Sequence, residues 1–402
     1  MQLAKTRFQI ASPAVFAALT VLVLWTWMAL DVQFNFRGQW SALFLSGAYS
    51  PPPPMLVSST YLFPHSYGYD GQYYRYVAHD PLFRKGIARY VDGPTTRYDR
   101  ILIPGLAAVL SAGQDRFTDA AYIAVVLAFI YVGALWLGRF AVANSGHPAW
   151  ACVFGFLPAT LISLQRMTVD VALTALCMGF VWYAGRNAFG PMFVIAVLAP
   201  LDRDTGLLLV VACCAHAVLA RRWKWAVVYP TAIVPTLIWY RFVSVHSGIA
   251  HVASPLAPQE PPHWLFHHPF FGIVQGFWRI PHYPLGPLAN RVAEATDIIA
   301  ISAIILATIL ALWQARKSWK RPESIGALLF VLLVAAVSAP VYWKDINGYA
   351  RTLAPLLLFV GLRYFRGATP LNWAPLLMVD ARLSLEFGNQ ILSVLRGLGS
   401  LL

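Results

Sequence analysis

The sequence predicts an all-α membrane protein, a polytopic helix bundle, and three observations predict it. Of its 402 residues, 58% are hydrophobic and 14% are aromatic, and only 12% are charged, whereas about 25% of the residues of a soluble domain are charged. The apolar residues gather in long segments, and many of the basic residues lie in short clusters between them. This alternation is typical of a chain that crosses a bilayer repeatedly.

About ten apolar segments are predicted to be transmembrane helices. The first, residues 11–30, is longer than the core of a signal peptide and no small-residue cleavage site follows it, so we expect a retained helix. Several others are shorter than the ~20 residues that cross ~30 Å of hydrocarbon, so their boundaries are approximate. The segments lie near 13–30, 119–138, 148–164, 169–185, 188–200, 205–220, 226–244, 296–314, 324–343 and 351–364.

The basic residues indicate how the predicted bundle is oriented. If successive helices alternate in direction, the basic clusters fall on one side, which is the cytoplasmic side by the positive-inside rule. We therefore expect a multi-pass protein of the cell (inner) membrane with both termini cytoplasmic. The clusters are Lys5 with Arg7, Arg139, Arg186, and residues 221–224, 316–321 and 363–366.

One apolar segment is not expected to span. Residues 101–113, "ILIPGLAAVLSAG", are too few to cross the bilayer and include Pro104 and Gly105, so they predict an interfacial or re-entrant helix on the outer face. Two long outer loops follow from this assignment, 31–118 and 245–295, and the first of them would carry the interfacial helices.

The chain is predicted to have two regions. Residues 1–366 form one membrane-embedded module, because neither an internal repeat nor a linker to a soluble domain is visible. Residues 367–402 have amphipathic spacing and are expected to form a C-terminal tail on the membrane surface.

Charge and cysteine content argue against two classes of site. The net charge is +13, but the basic clusters are placed in cytoplasmic loops, so no nucleic-acid partner is expected. All four cysteines lie in apolar segments without metal-ligand spacing. Neither a disulfide framework nor a zinc site is therefore indicated.

The acidic residues are distributed unevenly between the two faces. Carboxylates contribute little to membrane orientation, so their collection on one face points to a use there. The acidic residues placed on the outer face are Asp70, Asp80, Asp92, Asp99, Asp170, Asp202, Asp204 and Asp345.

The order of three motifs resembles a known family. "YDGQYY" at 69–74 lies in the first outer loop, "RYDRILIPGLAAVLSAG" at 97–113 follows it, and "DRDTGLLL" at 202–209 opens a later helix. Together with the first helix they resemble the membrane glycosyltransferases of the C superfold (GT-C), which transfer a sugar from a polyprenyl-phosphate carrier to an acceptor on the outer face. The resemblance covers about residues 13–364, and "DRDTG" is a variant of the family's more usual Arg-Glu-Thr-Gly.

The resemblance implies that Asp70 is the catalytic carboxylate. A lipid phosphate is a good leaving group, so the attacking hydroxyl gains most from a base, and Asp70 suits the general base of an inverting displacement. Tyr69 and Tyr73 could stack on a sugar, and Gly71 would let the backbone approach the substrate. A simpler interpretation is that Asp-Gly marks a turn among interfacial tyrosines.

The "DRD" triplet is the second implied site element. The resemblance places Arg203 near the donor phosphate or Asp202 near the acceptor, and Asp204 is a further catalytic candidate that could instead cap the following helix. The triplet could also hold a divalent cation, Mg or Mn. Whether the protein needs a metal is left unknown.

Other basic residues are candidates for the phosphate. Arg75 and Arg100 lie in the first loop, and Lys344 and Arg351 lie at the outer junction of the last two helices. Arg351 is the strongest of these, although a snorkelling anchor is an equal alternative.

Two further groups have open interpretations. Arg166 and Asp170 are four residues apart, so a structural ion pair is expected, and Asp170 could also line the cavity. The histidines of "HWLFHHP" at 263–269 and His282 fit no metal motif, so interfacial packing and a phosphate contact both remain open.

The predicted partners are a polyprenyl-phosphate sugar donor, a glycolipid or polysaccharide acceptor and the lipid bilayer. The alternative is a polytopic transporter or lipid flippase with a charged translocation path. Transporters usually place their site near the midplane between two related halves, whereas here the charges gather at one interface. A non-catalytic scaffold would leave the one-sided carboxylates unexplained.

Overall fold

A computed structural model describes residues 12–247, 268–278, 280–283, 286–337 and 340–400, and these residues are almost entirely helical. Within them, β-structure is limited to the parallel pair Ser46–Gly47 and Leu62–Phe63 and one isolated bridge. The α-helices are α1 Pro13–Phe36, α2 Asp70–His79, α3 Pro94–Asp99, α4 Leu102–Leu110, α5 Asp115–Ala143, α6 Pro158–Arg166, α7 Asp170–Ala184, α8 Phe189–Asp202, α9 Leu207–Leu219, α10 Trp223–Val228, α11 Val234–Ser247, α12 Phe271–Trp278, α13 Pro287–Ser318, α14 Pro322–Ala336, α15 Pro340–Lys344, α16 Ile346–Leu362, α17 Ala374–Glu386 and α18 Gly388–Gly399. Short 3₁₀ helices cover Trp40–Phe44, Pro54–Ser59, Ile87–Tyr90, Pro148–Phe156, Asp204–Gly206, Tyr229–Ile233, Arg363–Arg366 and Pro370–Trp373.

Four helical segments are long and apolar enough to cross a membrane: α1, α5, the combined segment Trp223–Ser247, and α13. The 3₁₀ helix Pro148–Phe156 and α6 make a fifth if they are counted as one span bent by 55°. These segments confirm an all-α protein with membrane-capable helices. Each of the ten predicted segments overlaps helix in the part of the chain that the structure describes, but α7, α8, α9 and α14 have fewer than 18 residues, so ten spans are not confirmed.

The core lies along the middle of the bundle. Helix α7 is buried on nearly every side, because its residues from Asp170 to Val181 are all inaccessible to solvent or nearly so. A helix that is apolar all round is expected in such a central position. Gly133 in α5 allows close packing, since a Cβ there would lie 2.2 Å from the ring of Phe154.

The bundle has two ends. We call one the Arg363 end, where α13 and α16 finish and α14 begins; there Arg363 contacts Glu323 at 3.2 Å and Ser318 at 2.7 Å. The other, the Asp70 end, holds the loop between α1 and α5 together with the first residues of α7 and α16. Helix α4, within the segment predicted to be interfacial, has nine residues, which is too few to cross a bilayer.

Candidate functional site

Asp70 is the first residue of α2, and this position orients its side chain. In the structure "DG" begins a helix rather than forming a turn. A carboxylate in the first turn is favourable because the N–H groups there are unpaired and the helix dipole is positive. At Gly71 a Cβ would lie 2.0 Å from the carbonyl oxygen of Arg166. The close approach that Gly71 permits is therefore to the end of α6.

Two arginines hold the Asp70 carboxylate. Arg97 contacts Oδ1 at 2.8 Å, and Arg351 forms a close ion pair with Oδ2. The Asp70 side chain is 17% exposed. Burial alone would raise the pKa of Asp70, but the two guanidinium groups lower it further than burial raises it, so its pKa lies well below the ordinary value. Asp70 is ionised over the whole physiological pH range.

These ion pairs extend into a longer series of alternating charges. Arg97 binds Asp92 through two contacts, at 2.9 and 2.8 Å. On the other side, Arg351 lies 3.5 Å from Asp170, which also pairs with Arg203. We call this series the aspartate–arginine chain; its members in spatial order are Asp92, Arg97, Asp70, Arg351, Asp170 and Arg203. It joins the first loop, the start of α7, the loop after α8, and α16.

Arg100 adds a further cation beside the chain. Its Nη1 donates to the hydroxyl of Tyr74 at 2.7 Å, and its nearest carboxylate, Asp204, is 3.8 Å away. Burial would raise the pKa of Tyr74, but Arg100 and Arg97 lower it below its ordinary value. The Nε–H groups of Arg100 and Arg351 are buried and have no hydrogen-bond partner among the described residues. The site therefore has spare, buried donors for an anion.

The tyrosines expected to stack on a sugar are engaged by arginines instead. The guanidinium groups of Arg166 and Arg351 lie over the ring of Tyr69, 4.6 and 5.2 Å from its centroid. The Tyr69 hydroxyl donates to Asp345 at 3.0 Å. Arg97 lies over the ring of Tyr73 at 5.3 Å. In this structure both rings help to position the arginines.

The "DRD" triplet is divided between different environments. Asp202 is fully buried, and its Oδ2 accepts from the backbone N–H of Leu173 at 3.1 Å, so it stabilises the first turn of α7. Asp204 is 61% exposed and accepts from the Tyr240 hydroxyl at 3.0 Å. Of the triplet, Arg203 alone joins the aspartate–arginine chain.

Two other candidates lie apart from the chain. Arg75 is bound by Asp119 through two contacts of 2.8 Å and by Thr60 at 2.6 Å, so its guanidinium is already engaged. Lys344 is exposed, and no ion pair links it to any other described residue. The structure brings neither one to Asp70.

The expected ion pair between Arg166 and Asp170 is wrong. Helix α6 ends at Arg166, Met167 adopts a left-handed conformation with φ 43°, and α7 starts at Asp170. The two side chains therefore lie on different helices. Arg166 instead contacts Glu386 at 3.0 Å.

Two further questions concern a possible divalent cation and the histidine-rich segment. Among the described residues, no group of three or more His, Cys, Asp or Glu side chains could hold a metal ion. Residues 263–267 of the histidine-rich segment lie outside the described residues. His282 is exposed and contacts Glu294 at 3.2 Å.

Sequence reasoning did not select Arg97, Tyr74 or Asp99 as site residues. Arg97 opens the "RYDR" motif, one helical turn before Arg100, and this spacing was the available signal. Burial raises the pKa of Asp99 to about 7, and the charge of Asp204 adds to the shift. Asp99 is therefore a carboxylate that can change charge near neutral pH.

Comparison with known proteins gives no relative for this arrangement. No protein-family model, no curated protein and no solved structure matches the chain.

Proposed function

We propose that the protein is a membrane glycosyltransferase that transfers a sugar from a polyprenyl-phosphate carrier to a glycolipid or polysaccharide acceptor at the Asp70 end. The observation that carries the proposal is the ion pair between Asp70 and Arg351, which joins the first loop to the last helix of the predicted module. It places a carboxylate, able to accept a proton, beside cations able to hold a phosphate.

The reaction assigns different roles to the two kinds of group. Asp70 accepts the proton of the acceptor hydroxyl while the oxygen of that hydroxyl bonds to the anomeric carbon of the sugar. The bond from that carbon to the phosphate oxygen breaks, and the lipid phosphate leaves as an anion. Arg351, Arg203 and Arg100 stabilise that anion, because guanidinium groups bind phosphate oxygens through paired hydrogen bonds.

The spare donors support this role for the arginines. A buried N–H without a partner costs about 1–3 kcal/mol, and the Nε–H groups of Arg100 and Arg351 are both in this state. Phosphate oxygens would satisfy them. Two cations for one carboxylate also leave Asp70 a weak base in this structure, so a phosphate that draws Arg351 away would increase its basicity.

The expected location follows from the basic residues at the Arg363 end. Lys317, Arg321 and Arg363 are at or beside the Arg363 end, so by the positive-inside rule that end faces the cytoplasm of an inner-membrane protein. The Asp70 end then faces outward. Val109 and Leu110 of α4 are strongly exposed there, and they provide an apolar surface along which a lipid-linked donor could approach from the bilayer.

The test is a donor panel assayed with two matched variants. Purified wild type, Asp70→Asn and Asp115→Asn would be incubated with polyprenyl-phosphate sugars and membrane glycolipid, and release of the lipid phosphate would be measured. Asp115 is 45% exposed and pairs with Lys85 at 2.7 Å, so its variant makes the same chemical change outside the aspartate–arginine chain. Wild type and Asp115→Asn should turn over within about twofold of each other, and Asp70→Asn should lose on the order of 10² or more in rate.

Two outcomes would contradict the proposal. Equal turnover by all three proteins would exclude Asp70 as the base. If no sugar is transferred from any donor, but wild-type proteoliposomes show a lipid or solute flux that Asp70→Asn abolishes, the protein is a transporter.

A further inference from the structure

The segment after Arg366 starts at the Arg363 end of the bundle. There the side-chain amide of Asn372 donates to the carbonyl of Val360 at 2.8 Å. The ring of Trp373 stacks on Trp150 with centroids 5.6 Å apart. It also fills the space beside Gly361, where a Cβ would lie 2.3 Å from the ring. The start of the segment is thus fixed against the last turn of α16.

The same segment reaches the Asp70 end. Glu386, the last residue of α17, accepts from Arg166 at 3.0 Å and from Asn347 at 3.4 Å. Asn347 lies in the first turn of α16. Residues 372–386 therefore lie beside residues 347–360 of α16 and run in the opposite direction.

One face of the middle of the segment is buried in the bundle. Leu376, Val379 and Leu383 are buried at a spacing that forms one face of a helix. On the same helix Arg382 is buried and donates from Nε to Asp297 of α13 at 2.6 Å. A buried ion pair is costly to break, because removing one partner leaves the other charge buried and unpaired. This contact holds α17 between α13 and α16, and its charge faces protein instead of lipid.

Helix α18 continues on the Asp70 side. It packs on the last turn of α1, where the ring of Phe34 lies 2.1 Å from the position of a Cβ on Gly397. The side-chain amide of Asn35 donates to the carbonyl of Gln390 at 3.3 Å. One face of α18 is apolar and exposed, and it consists of Leu392, Leu395 and Leu398.

We infer that residues 370–386 form a further transmembrane segment, and that α18 lies in the lipid interface of the same membrane face as Asp70. At 1.5 Å per residue the segment rises about 25 Å. Helix α16 rises by the same amount, because it also has 17 residues. An amphipathic helix with an exposed row of leucines is suited to the boundary between head groups and acyl chains. The C-terminus is then on the opposite side of the membrane from the cytoplasmic position that the basic clusters alone predict.

Cysteine labelling tests this topology without relying on any catalytic activity. Three exposed residues would be changed one at a time: Ser400→Cys at the end of α18, Ser58→Cys in the first loop, and Thr369→Cys at the Arg363 end. Right-side-out and inverted membrane vesicles would be treated with a membrane-impermeant maleimide. The wild-type chain, with its four native thiols, gives the background.

The expected result is that Ser400→Cys and Ser58→Cys react in the same vesicle preparation, and that Thr369→Cys reacts in the other. Each variant should react fully once detergent opens the membrane, which shows that the new thiol is accessible. If Ser400→Cys reacts together with Thr369→Cys, or if all three react from one side, residues 370–386 do not cross the membrane and the inference is overturned.

Discussion

Helix α2 has a charged cluster at each end, and the two clusters differ in how completely their hydrogen bonds are made. At its C-terminal end, Arg75 uses Nε, Nη1 and Nη2 for protein acceptors. The ring nitrogens of His79 lie 2.9 Å from Asp115 and 3.2 Å from Asp119. Within this cluster no nitrogen of Arg75 or His79 is left for a ligand.

The cluster at the N-terminal end of α2 is built differently. Asp70 and Asp170 are each shared between two arginines, and the Nε–H of Arg351 is buried without a described partner. A carboxylate that keeps a second arginine can lose the first at a reduced cost, so this cluster can exchange a partner for a ligand. The comparison separates a cluster whose donors are all used by the protein from one that keeps a donor for the ligand proposed above.

The largest expected difference is between Arg75→Gln and Arg351→Gln. Arg75→Gln removes one partner of a fully satisfied buried pair, so we expect a loss of about 3 kcal/mol in the free energy of unfolding. Activity per folded molecule should stay within about twofold. Arg351→Gln should cost less, about 1.5 kcal/mol, the lower end for a hydrogen bond to a charged group, because Asp70 keeps Arg97 and Asp170 keeps Arg203. It should nevertheless raise KM for the donor and lower kcat at least tenfold.

Thermal unfolding in detergent and initial rates over a range of donor concentrations measure the two effects separately. The comparison between the clusters fails if Arg351→Gln is as unstable as Arg75→Gln and its lost activity follows the unfolded fraction.

Helix phase explains why Arg75, one of the phosphate candidates, lies apart from Asp70. With "DG" interpreted as a turn, Arg75 was only a nearby cation in the first loop. Once Asp70 starts a helix, five residues at 100° each place Arg75 about 140° around the axis from it, toward Asp119. Arg97 reaches Asp70 through a tertiary contact between α3 and α2, and no local pattern encodes such a contact.

The apolar helices and the end at which each carboxylate lies were more accessible to prediction. Hydropathy is a local property, and alternation of direction then placed Asp70, Asp170, Arg203 and Arg351 together, as the structure does. The break at Met167 carries no Gly or Pro, and the boundary between the predicted segments 148–164 and 169–185 was the available signal that Arg166 and Asp170 lie on different helices. The course of α17 depends on buried contacts with α13 and α16 that its amphipathic spacing does not reveal.

A substitution at Gly71 tests whether the glycine is needed for the close approach of α2 to the backbone of α6 or for the approach of a substrate. A Cβ there would lie 2.0 Å from a backbone oxygen of α6, which cannot move aside cheaply, so Gly71→Ala should cost about 2 kcal/mol. Gly190 is the matched control: it is also the second residue of its helix, and a Cβ there meets nothing within 4 Å. Gly190→Ala should leave the melting temperature unchanged or slightly raised. A Gly71→Ala protein with wild-type stability and only a higher donor KM would favour the substrate.

Asp202 and Asp204 of the "DRD" triplet lie in different environments, and variants of Asp202 test whether its carboxylate serves the fold or the reaction. Asp202→Asn keeps an oxygen that can accept from Leu173 and should change stability little, whereas Asp202→Ala leaves that buried N–H unpaired at about 1–2 kcal/mol. Neither should alter the rate per folded molecule. Thermal unfolding and donor turnover of both variants check this. A 10²-fold rate loss in Asp202→Asn would make Asp202 catalytic and would contradict its assignment to the first turn of α7.

The smallest expected effect is a dependence of the stability of the protein on pH, which arises from the titration of Asp99. Burial and then Asp204 raise its pKa to about 7 in the folded protein, from an ordinary value of 3.8. Its folded pKa is raised, so its contribution to stability is fully present below pH 4 and is lost as the pH rises through 7. Because the side chain is partly exposed, we expect a loss on the order of 1 kcal/mol.

Asp99→Asn removes this titration, so its melting temperature should rise relative to wild type between pH 5 and pH 8. Asp204→Asn removes the charge that adds to the shift, so the wild-type loss should move to lower pH in that variant and not disappear. A difference between Asp99→Asn and wild type that stays constant across this range would show that Asp99 does not titrate near neutral pH.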